Sequence, residues 1–301
     1  MFFKLLRTQN NKVIIQLKGG LGNQLFQYTF GKYLSLILEK ELVIDHSYYE
    51  LYPNVQGVTH RNLEINYFKN IADKKVNVSF LKKLPSSRII YYLFQFILKL
   101  KYSPVLVNDE TKIDELETSK NLLCDGYFQN VNYANQICKQ MQNLLTMDDN
   151  VNMNNILSEI KNSNSVSLHV RRTDYLETVN KNLGLAFNFD YYIQAVGHIK
   201  KNVQDPCFFI FSDDLDWCKK NLSILEPYKV VFVDCNLGSS SFKDIIFMSK
   251  CKHNIIANSS FSWWGAWLNL NLDKIVIMPK IWKINDDEFV NDLVDNSWIV
   301  I

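Results

Sequence analysis

The chain has 301 residues, 47% hydrophobic and 21% charged, with a net charge of +2. That composition excludes a disordered chain and allows two domains of ordinary size, each with its own core. So small a net charge argues against a dedicated nucleic-acid binder, although one local basic cluster can still grip one anionic ligand.

In chain order, residues Lys12 to Leu17 (KVIIQL) predict a buried strand, short, β-branched and ended by a glycine pair. Gly19-Gly20-Leu21-Gly22-Asn23-Gln24 predicts a loop, and apolar residues at helical spacing from Leu25 to Leu38 predict a helix. Glu41 to Asp45 predicts a second strand. Strand, glycine loop, helix and strand make a βαβ unit, the building block of a doubly wound sheet. The stretch from about 66 to 120 reads as helical with polar connections, and Leu122 to Gln129 as a strand running into a loop. Residues 150 to 165 are rich in asparagine and serine and mark a domain boundary with a helix inside it. Strands are then expected at Val166–Val170, Pro206–Ser212, Lys229–Asp234, Asn254–Ala257 and Lys274–Met278, with helices over Asp190–Lys200, after Asp214, over Phe242–Cys251 and from Ser262. The reading is two Rossmann-like α/β domains, 1–155 and 156–301, with a last helix that can return to the first domain.

No segment reaches the roughly 18 to 20 apolar residues of a bilayer crossing. Met1-Phe2-Phe3-Lys4-Leu5-Leu6-Arg7 is too short for a signal peptide and lacks a small-residue cleavage site. Cys124, Cys138, Cys207, Cys218, Cys235 and Cys251 form no C-x-x-C pair, and His46, His60, His198 and His253 lack metal-ligand spacing. The expectation is a cytoplasmic protein with unlinked thiols. The run from Ile89 to Leu98, flanked by Arg88, Lys99 and Lys101, reads either as a buried helix or as a surface helix resting on an anionic membrane.

Four segments can carry chemistry. In His169-Val170-Arg171-Arg172-Thr173-Asp174-Tyr175 a buried strand runs into two arginines, at the end where open α/β sheets bind ligands. Their forks of donors suit phosphate, unless they serve an ion pair with a neighbouring acid such as Asp174. In Phe211-Ser212-Asp213-Asp214 a carboxylate can accept from a guanine edge. Alternatively Asp213, Asp214 and Asp216 hold a divalent metal, or Ser212 or Asp213 caps a helix. In Asn258-Ser259-Ser260-Phe261-Ser262 small polar residues precede a helix, an arrangement that binds anions at the helix N-terminus. Trp263, Trp264 and Trp267 follow, at least one of them as core. In the glycine loop, Gly20 and Gly22 hint at a dinucleotide fingerprint with Asp45 as the ribose acid. Leu25 replaces its third glycine, however, so the close helix–sheet packing of that motif would fail. The loop can instead bring backbone close to a sugar, with Asn23 and Gln24 offering amides. Two arginines and a helix end for a diphosphate, a carboxylate for a purine and a second domain with a glycine loop form the layout of a nucleotide-sugar transferase.

The four segments GGLGNQLFQYTFG (19–31), HVRRTDY (169–175), FSDD (211–214) and NSSFSWWGAWL (258–268), in this order along nearly the whole chain, resemble the bacterial α-1,2-fucosyltransferases, glycosyltransferase family 11. GYFQ (126–129) is similar to that family's mid-chain motif. Thr173 stands where the family more often has glycine. The related α-1,6- and protein O-fucosyltransferases share the His-x-Arg-Arg core, and threonine occurs at that place among the former. The resemblance implies a GT-B-like fold with its two domains facing across a cleft, the C-terminal one binding GDP-fucose and the N-terminal one the acceptor. It implies an inverting transfer of L-fucose to O2 of a terminal β-galactoside, without cofactor or metal. Acceptors would be galactose-terminated oligosaccharides or lipid-linked glycans, with possible peripheral membrane contact. It also implies that Arg171 and Arg172 meet the β-phosphate side, that Asp213 or Asp214 reads guanine, and that Asn258 to Ser262 hold phosphates. Asn23 would lie near the reacting bond, with His169 and Asp174 at the donor. Glu177 and Asp190 are candidate bases, Asp190 with helix capping as its alternative. The competing readings are a GDP-sugar transferase of another linkage, an NAD(P)-dependent oxidoreductase and a non-catalytic nucleotide- or sugar-binding module.

Overall fold

The protein is known from a computed structural model that describes residues 11–53, 61–68, 70–71, 73–76, 86–145, 154–173, 189–236, 242–282 and 289–301. The chain divides into two units, 1–147 and 148–301.

In the first unit β1 (Lys12–Gln16) leads into α1 (Leu21–Ile37), β2 (Glu41–Asp45), α2 (Ser47–Leu51) and β3 (Lys74–Lys75). Then come α3 (Arg88–Tyr102), β4 (Val105–Val107), β5 (Leu122–Cys124), α4 (Val131–Gln136) and α5 (Cys138–Leu144). The strands form one parallel sheet in the order β3-β2-β1-β5-β4. Strand β1 is buried because helices cover both faces of a parallel sheet, and its VII run follows from that. Helix α1 begins at Leu21, four residues before the expected start, so most of the predicted glycine loop is its first turn. Leu25 does not prevent close packing. The approach of α1 to the sheet is made at Gly31 instead, where a Cβ would sit 2.9 Å from Ile15 Cβ and 3.0 Å from Leu42 Cδ1.

Helix α3 is neither wholly buried nor wholly exposed. Tyr91, Phe94 and Leu98 pack against Ile14, Val43 and Leu123 of the sheet, while the opposite face is exposed. Strands β3 and β4 fall in the region expected to be helical. They are edge strands of two and three residues, too short to carry a period-2 pattern.

The second unit contains α6 (Asn154–Lys161), β6 (Asn164–Val170), α7 (Phe189–Asn202), β7 (Pro206–Ser212), α8 (Leu215–Asn221) and β8 (Val230–Phe232). It continues through α9 (Phe242–Lys250), β9 (His253–Ile255), α10 (Ser260–Trp267), β10 (Val276–Met278) and β11 (Ile299–Val300). Its parallel sheet has the order β8-β7-β6-β9-β10-β11. Numbered within the unit that is 3-2-1-4-5-6, the doubly wound Rossmann order. The chain end pairs as β11 with β10, in the place of the expected last helix.

One face of β6 presents Val166, Leu168 and Val170 to α7, where Ala195, Val196 and Ile199 complete the core. Against the other side, α10 sits on α9 with Gly265 over Met248, and a Cβ at 265 would be 2.7 Å from Met248 Cβ. All three tryptophans of α10 are core residues. Trp263 stacks near Trp267 and Trp298 and donates its indole N–H to the Leu293 carbonyl at 2.8 Å. No disulfide joins any of the cysteines. Among the described residues no helix is long and apolar enough to cross a membrane.

Gly265→Ala should destabilise the protein by about 1–3 kcal/mol, because the clashing Met248 Cβ is fixed to a helix backbone. Gly197→Ala in α7, where nothing lies within 4 Å of the new Cβ, should be neutral or slightly stabilising. Denaturant unfolding of both variants beside the parent checks the contrast.

Candidate active site

Three of the four sequence segments meet at one edge of the second sheet. Strands β9, β6 and β7 are neighbours and parallel, so their C-terminal ends lie side by side. Those ends deliver Asn258 and Ser259 after β9, Arg171 and Arg172 after β6, and Asp213 and Asp214 after β7. The connection order reverses between β6 and β9, which makes this the topological switch point where open α/β sheets bind ligands.

The arginines and aspartates form one network. Asp213 accepts from the backbone N–H of Arg172 at 2.9 Å and of Thr173 at 3.2 Å, and from the Thr173 hydroxyl. Its Oδ2 also lies 3.2 Å from a guanidinium nitrogen of Arg171. Burial would push the Asp213 carboxyl up. The Arg171 charge, the Thr173 hydroxyl and the Arg172 N–H outweigh it and hold the group below the usual carboxylate range. Asp214 caps α8 by accepting from Trp217 N–H at 3.1 Å, and its other oxygen takes Arg172 Nε at 3.3 Å. The Arg172 guanidinium lies over the Trp217 ring, 4.1 Å from its centroid. The helix cap is therefore Asp214 and not Ser212 or Asp213, the two expected from the sequence; Ser212 accepts from the Asp214 N–H at 2.9 Å. Asp213 anchors the arginine turn. Asp216 pairs instead with Lys219 at 3.8 Å, and among the described residues no three His, Cys, Asp or Glu side chains gather as a metal-binding cluster.

Helix α10 supplies the other side of this edge. Ser259 is its cap, with its hydroxyl accepting from Phe261 N–H at 3.4 Å. Phe261 lies beside His169, ring centroids 5.9 Å apart, which ties the helix start to the arginine strand. Ser260 and Phe261 are partly exposed, so the first turn of α10 reaches solvent. Two residues of the segment turn inward. Ser262 is fully buried and donates to the Ser259 carbonyl at 3.3 Å, and Asn258 donates to the Trp282 carbonyl at 3.1 Å. Their side chains brace the helix start. An anion there would meet the backbone N–H groups.

The first unit has its own switch point, between β1 and β5. Gly19 has φ +79°, and Gly20 caps α1 without a side chain. The Asn23 side chain accepts from Gln129 Nε2 at 2.7 Å, which joins the glycine segment to the GYFQ turn after β5. That turn is held by Asp109, whose carboxylate accepts from the N–H groups of Tyr127 and Phe128. Phe128 sits at φ +51°, unusual for an aromatic residue, and stacks on Phe30 at 3.9 Å between centroids. Gln24, expected to offer its amide to a sugar, is fully buried. It donates to the Gly19 and Asn62 carbonyls and accepts from the N–H groups of Glu64 and Ile65. All its hydrogen-bonding capacity is spent inside the protein. Asp45, the ribose acid of the dinucleotide reading, is likewise buried and accepts from Gln16, Gln95 and Ser47. Gly22 lies buried in the first turn of α1. Asp190 is exposed in the first turn of α7. Asp174 and Glu177 lie outside the described residues.

The sequence model of glycosyl transferase family 11 matches residues 4–301. The chain belongs to this family. Among its relatives is the O-antigen biosynthesis glycosyltransferase WbnK of Escherichia coli, 32% identical over 94% of this chain and 98% of that protein. Another is the Alpha-1,2-colitosyltransferase of Escherichia coli, 31% identical over 96% of this chain and 98% of that protein. A solved variant of Arabidopsis thaliana FUT1 in complex with GDP shares the fold, with a TM-score of 0.50 at 10% identity over 95% of this chain and 76% of that one. The fold is thus α/β and GT-B-like, built from two Rossmann-like units, and the chain is a glycosyltransferase.

For this family 11 protein, sequence reading missed three residues that shape the site. Trp217 was hidden because a helix aromatic reads as core, although it lies three residues beyond the Asp214 cap. Gln129 was visible only as part of GYFQ. Asp109 sits 18 and 19 residues from the two N–H groups it binds, so no local spacing reveals it.

Asp213→Asn should lower kcat/KM by roughly 10- to 100-fold, since Arg171 loses its counter-charge and the arginine turn its anchor. The folded-state pKa lies below the unfolded one, so the carboxylate's stabilisation is fully present above the ordinary value of 3.8 and lost on acidification. The parent should therefore be the more stable protein at neutral pH. Thermal melts should show the gap closing as pH falls below 3.8.

Proposed function

We propose that the protein transfers L-fucose from GDP-β-L-fucose to O2 of a terminal β-galactoside, with inversion, in the synthesis of a bacterial surface glycan in the cytoplasm. The observation that carries this reading is the adjacent Arg171–Arg172 pair at the switch point of the second sheet, beside the N-terminal turn of α10. A nucleoside diphosphate leaving group gains negative charge in the transition state, and preorganised guanidinium and N–H donors stabilise it there. Arg171 and Arg172 meet the β-phosphate side, with the first turn of α10 and Ser259 and Ser260 toward the phosphates. The positive charge that this chemistry needs is supplied by side chains and a helix end, so no metal or cofactor is required.

Guanine falls to Asp214 rather than Asp213. Asp214 is the more exposed of the two, 28% against 17%, and Asp213 is committed to three donors and Arg171. The fucosyl ring passes through an oxocarbenium-like state, and the acceptor hydroxyl attacks the opposite face, turning a β-linked donor into an α-linked product. Asn23, held by Gln129 at the switch point of the first unit, orients the acceptor. Glu177 is a candidate base. The acceptor is a galactose-terminated oligosaccharide or a lipid-linked glycan. A second reading has support from the colitosyltransferase relative: the same chemistry with colitose as the transferred sugar.

Purified protein incubated with GDP-fucose, EDTA and lactose should release GDP and yield an α-1,2-linked fucosyl-lactose, identified by mass spectrometry and NMR. A parallel reaction with GDP-colitose ranks the two donors. Release of GDP without the α-1,2 product would contradict the acceptor assignment. Absence of turnover with either donor, together with no protection by GDP against heat, would contradict the donor class.

A further inference from the structure

Helix α3 carries an exposed apolar stripe that the transfer chemistry does not use. It is capped at both ends: Ser87 accepts from Ile90 N–H at 3.2 Å, and Ser103 closes the helix with φ +42°. Its inner face is spent on the first sheet. On the outer face Ile89, Tyr92, Leu93, Phe96, Ile97 and Leu100 are exposed, Ile89 at 81% and Leu100 at 62%. At 100° per residue these six fall within one arc of about 140°. Together they expose apolar surface on the order of several hundred Å², in the size range that marks an interaction site.

The charges around the stripe indicate what covers it. Arg88 and Lys99 fall on one flank of the arc and Lys101 on the other, and the helix contains no acid. None of the three cations forms a salt bridge with a described residue. Arg88 lies over the Tyr52 ring and Lys101 over that of Tyr102. Two copies of this helix packed face to face would bring cations onto cations, which disfavours self-association. An apolar stripe edged with Lys and Arg, with Tyr92 near one flank, matches the requirements of an anionic lipid surface.

We propose that α3 is a docking helix that seats the protein on an anionic bilayer. It lies in the interface, its apolar stripe among the acyl chains and Arg88, Lys99 and Lys101 on headgroup phosphates. The N-terminal end of α3 stands by α2, since the Ser87 N–H donates to the Leu51 carbonyl, and so lies at the strand-end edge of the sheet that also bears Gly20 and Asn23. Docking therefore brings that edge toward the membrane, where a lipid-linked acceptor would be found. The docking claim is independent of donor and linkage.

The test is co-sedimentation of the full chain with vesicles of phosphatidylcholine alone and of phosphatidylcholine mixed with phosphatidylglycerol. The protein should bind the anionic vesicles, bind the neutral ones far more weakly, and lose affinity as salt is raised. Leu93→Glu with Phe96→Glu should abolish binding while leaving the circular dichroism spectrum and melting temperature unchanged, because both side chains are exposed. The triple variant Arg88→Gln, Lys99→Gln, Lys101→Gln keeps the helix apolar and should weaken binding on the order of fivefold per charge removed. No binding of the parent to anionic vesicles would overturn the proposal, as would equal binding by the folded Glu variant. A parent dimer that the Glu substitutions dissociate, with no vesicle binding, would overturn it in favour of a second copy as the occupant.

Discussion

Two adjacent guanidinium groups at the end of a buried strand are the constraint around which the second unit is built. Arg171 and Arg172 cannot sit side by side in a partly desolvated place without counter-charge. The protein meets this with one aspartate for each, both from the neighbouring strand β7, and with the Trp217 ring under Arg172. The seven-residue parallel register of β6 and β7 brings Asp213 within reach of the Arg172 N–H, and the cap of α8 fixes Asp214. The ion pairs are thus part of how the turn is shaped. They hold the guanidinium forks in place, which is the preorganisation that leaving-group stabilisation would need in the proposed transfer.

The same economy recurs in both units. Each sheet places its candidate site residues where strand order reverses, and in each a helix starting at that edge packs closely on a neighbouring element through a glycine farther along its length. Gly31 does this for α1 and Gly265 for α10. Buried tryptophans around α10 make that helix rigid, so the N–H groups of its first turn keep their direction. In the first unit, the Asn23–Gln129 hydrogen bond and the Asp109-bound turn, whose Phe128 stacks on Phe30, fix an amide at the strand-end edge.

Much of this was legible in the sequence. Strands β1, β2 and β7 are built on apolar or β-branched runs because both of their faces are covered, and such runs are hard to mistake, whereas β6 alternates Ser165, Ser167 and His169 with Val166, Leu168 and Val170. Two arginines at a strand end and small polar residues before a helix are likewise readable, since the chemistry is stated by residue type. The short edge strands β3, β4 and β11 were not, because two or three residues carry no period. Gln24 was misread for a different reason, and Asp45, whose dinucleotide role Leu25 already argued against, illustrates the same ambiguity. An amide or carboxylate beside a glycine loop can serve a ligand or satisfy buried backbone, and only the fold shows that both are spent internally. Helix α3 falls between the two expectations, one face core and the other exposed.

The central claim is that the Arg171–Arg172 edge binds a diphosphate. Titration calorimetry of GDP and GMP against the parent and Arg171→Gln tests it most directly. The account predicts that the parent binds GDP at least tenfold more tightly than GMP, about 1.4 kcal/mol or more for the charge-assisted contacts of the second phosphate. It also predicts that the substitution removes most of that difference while leaving GMP affinity nearly intact. Equal affinities for the two nucleotides in the parent, or an undiminished preference for GDP in the folded variant, would contradict it.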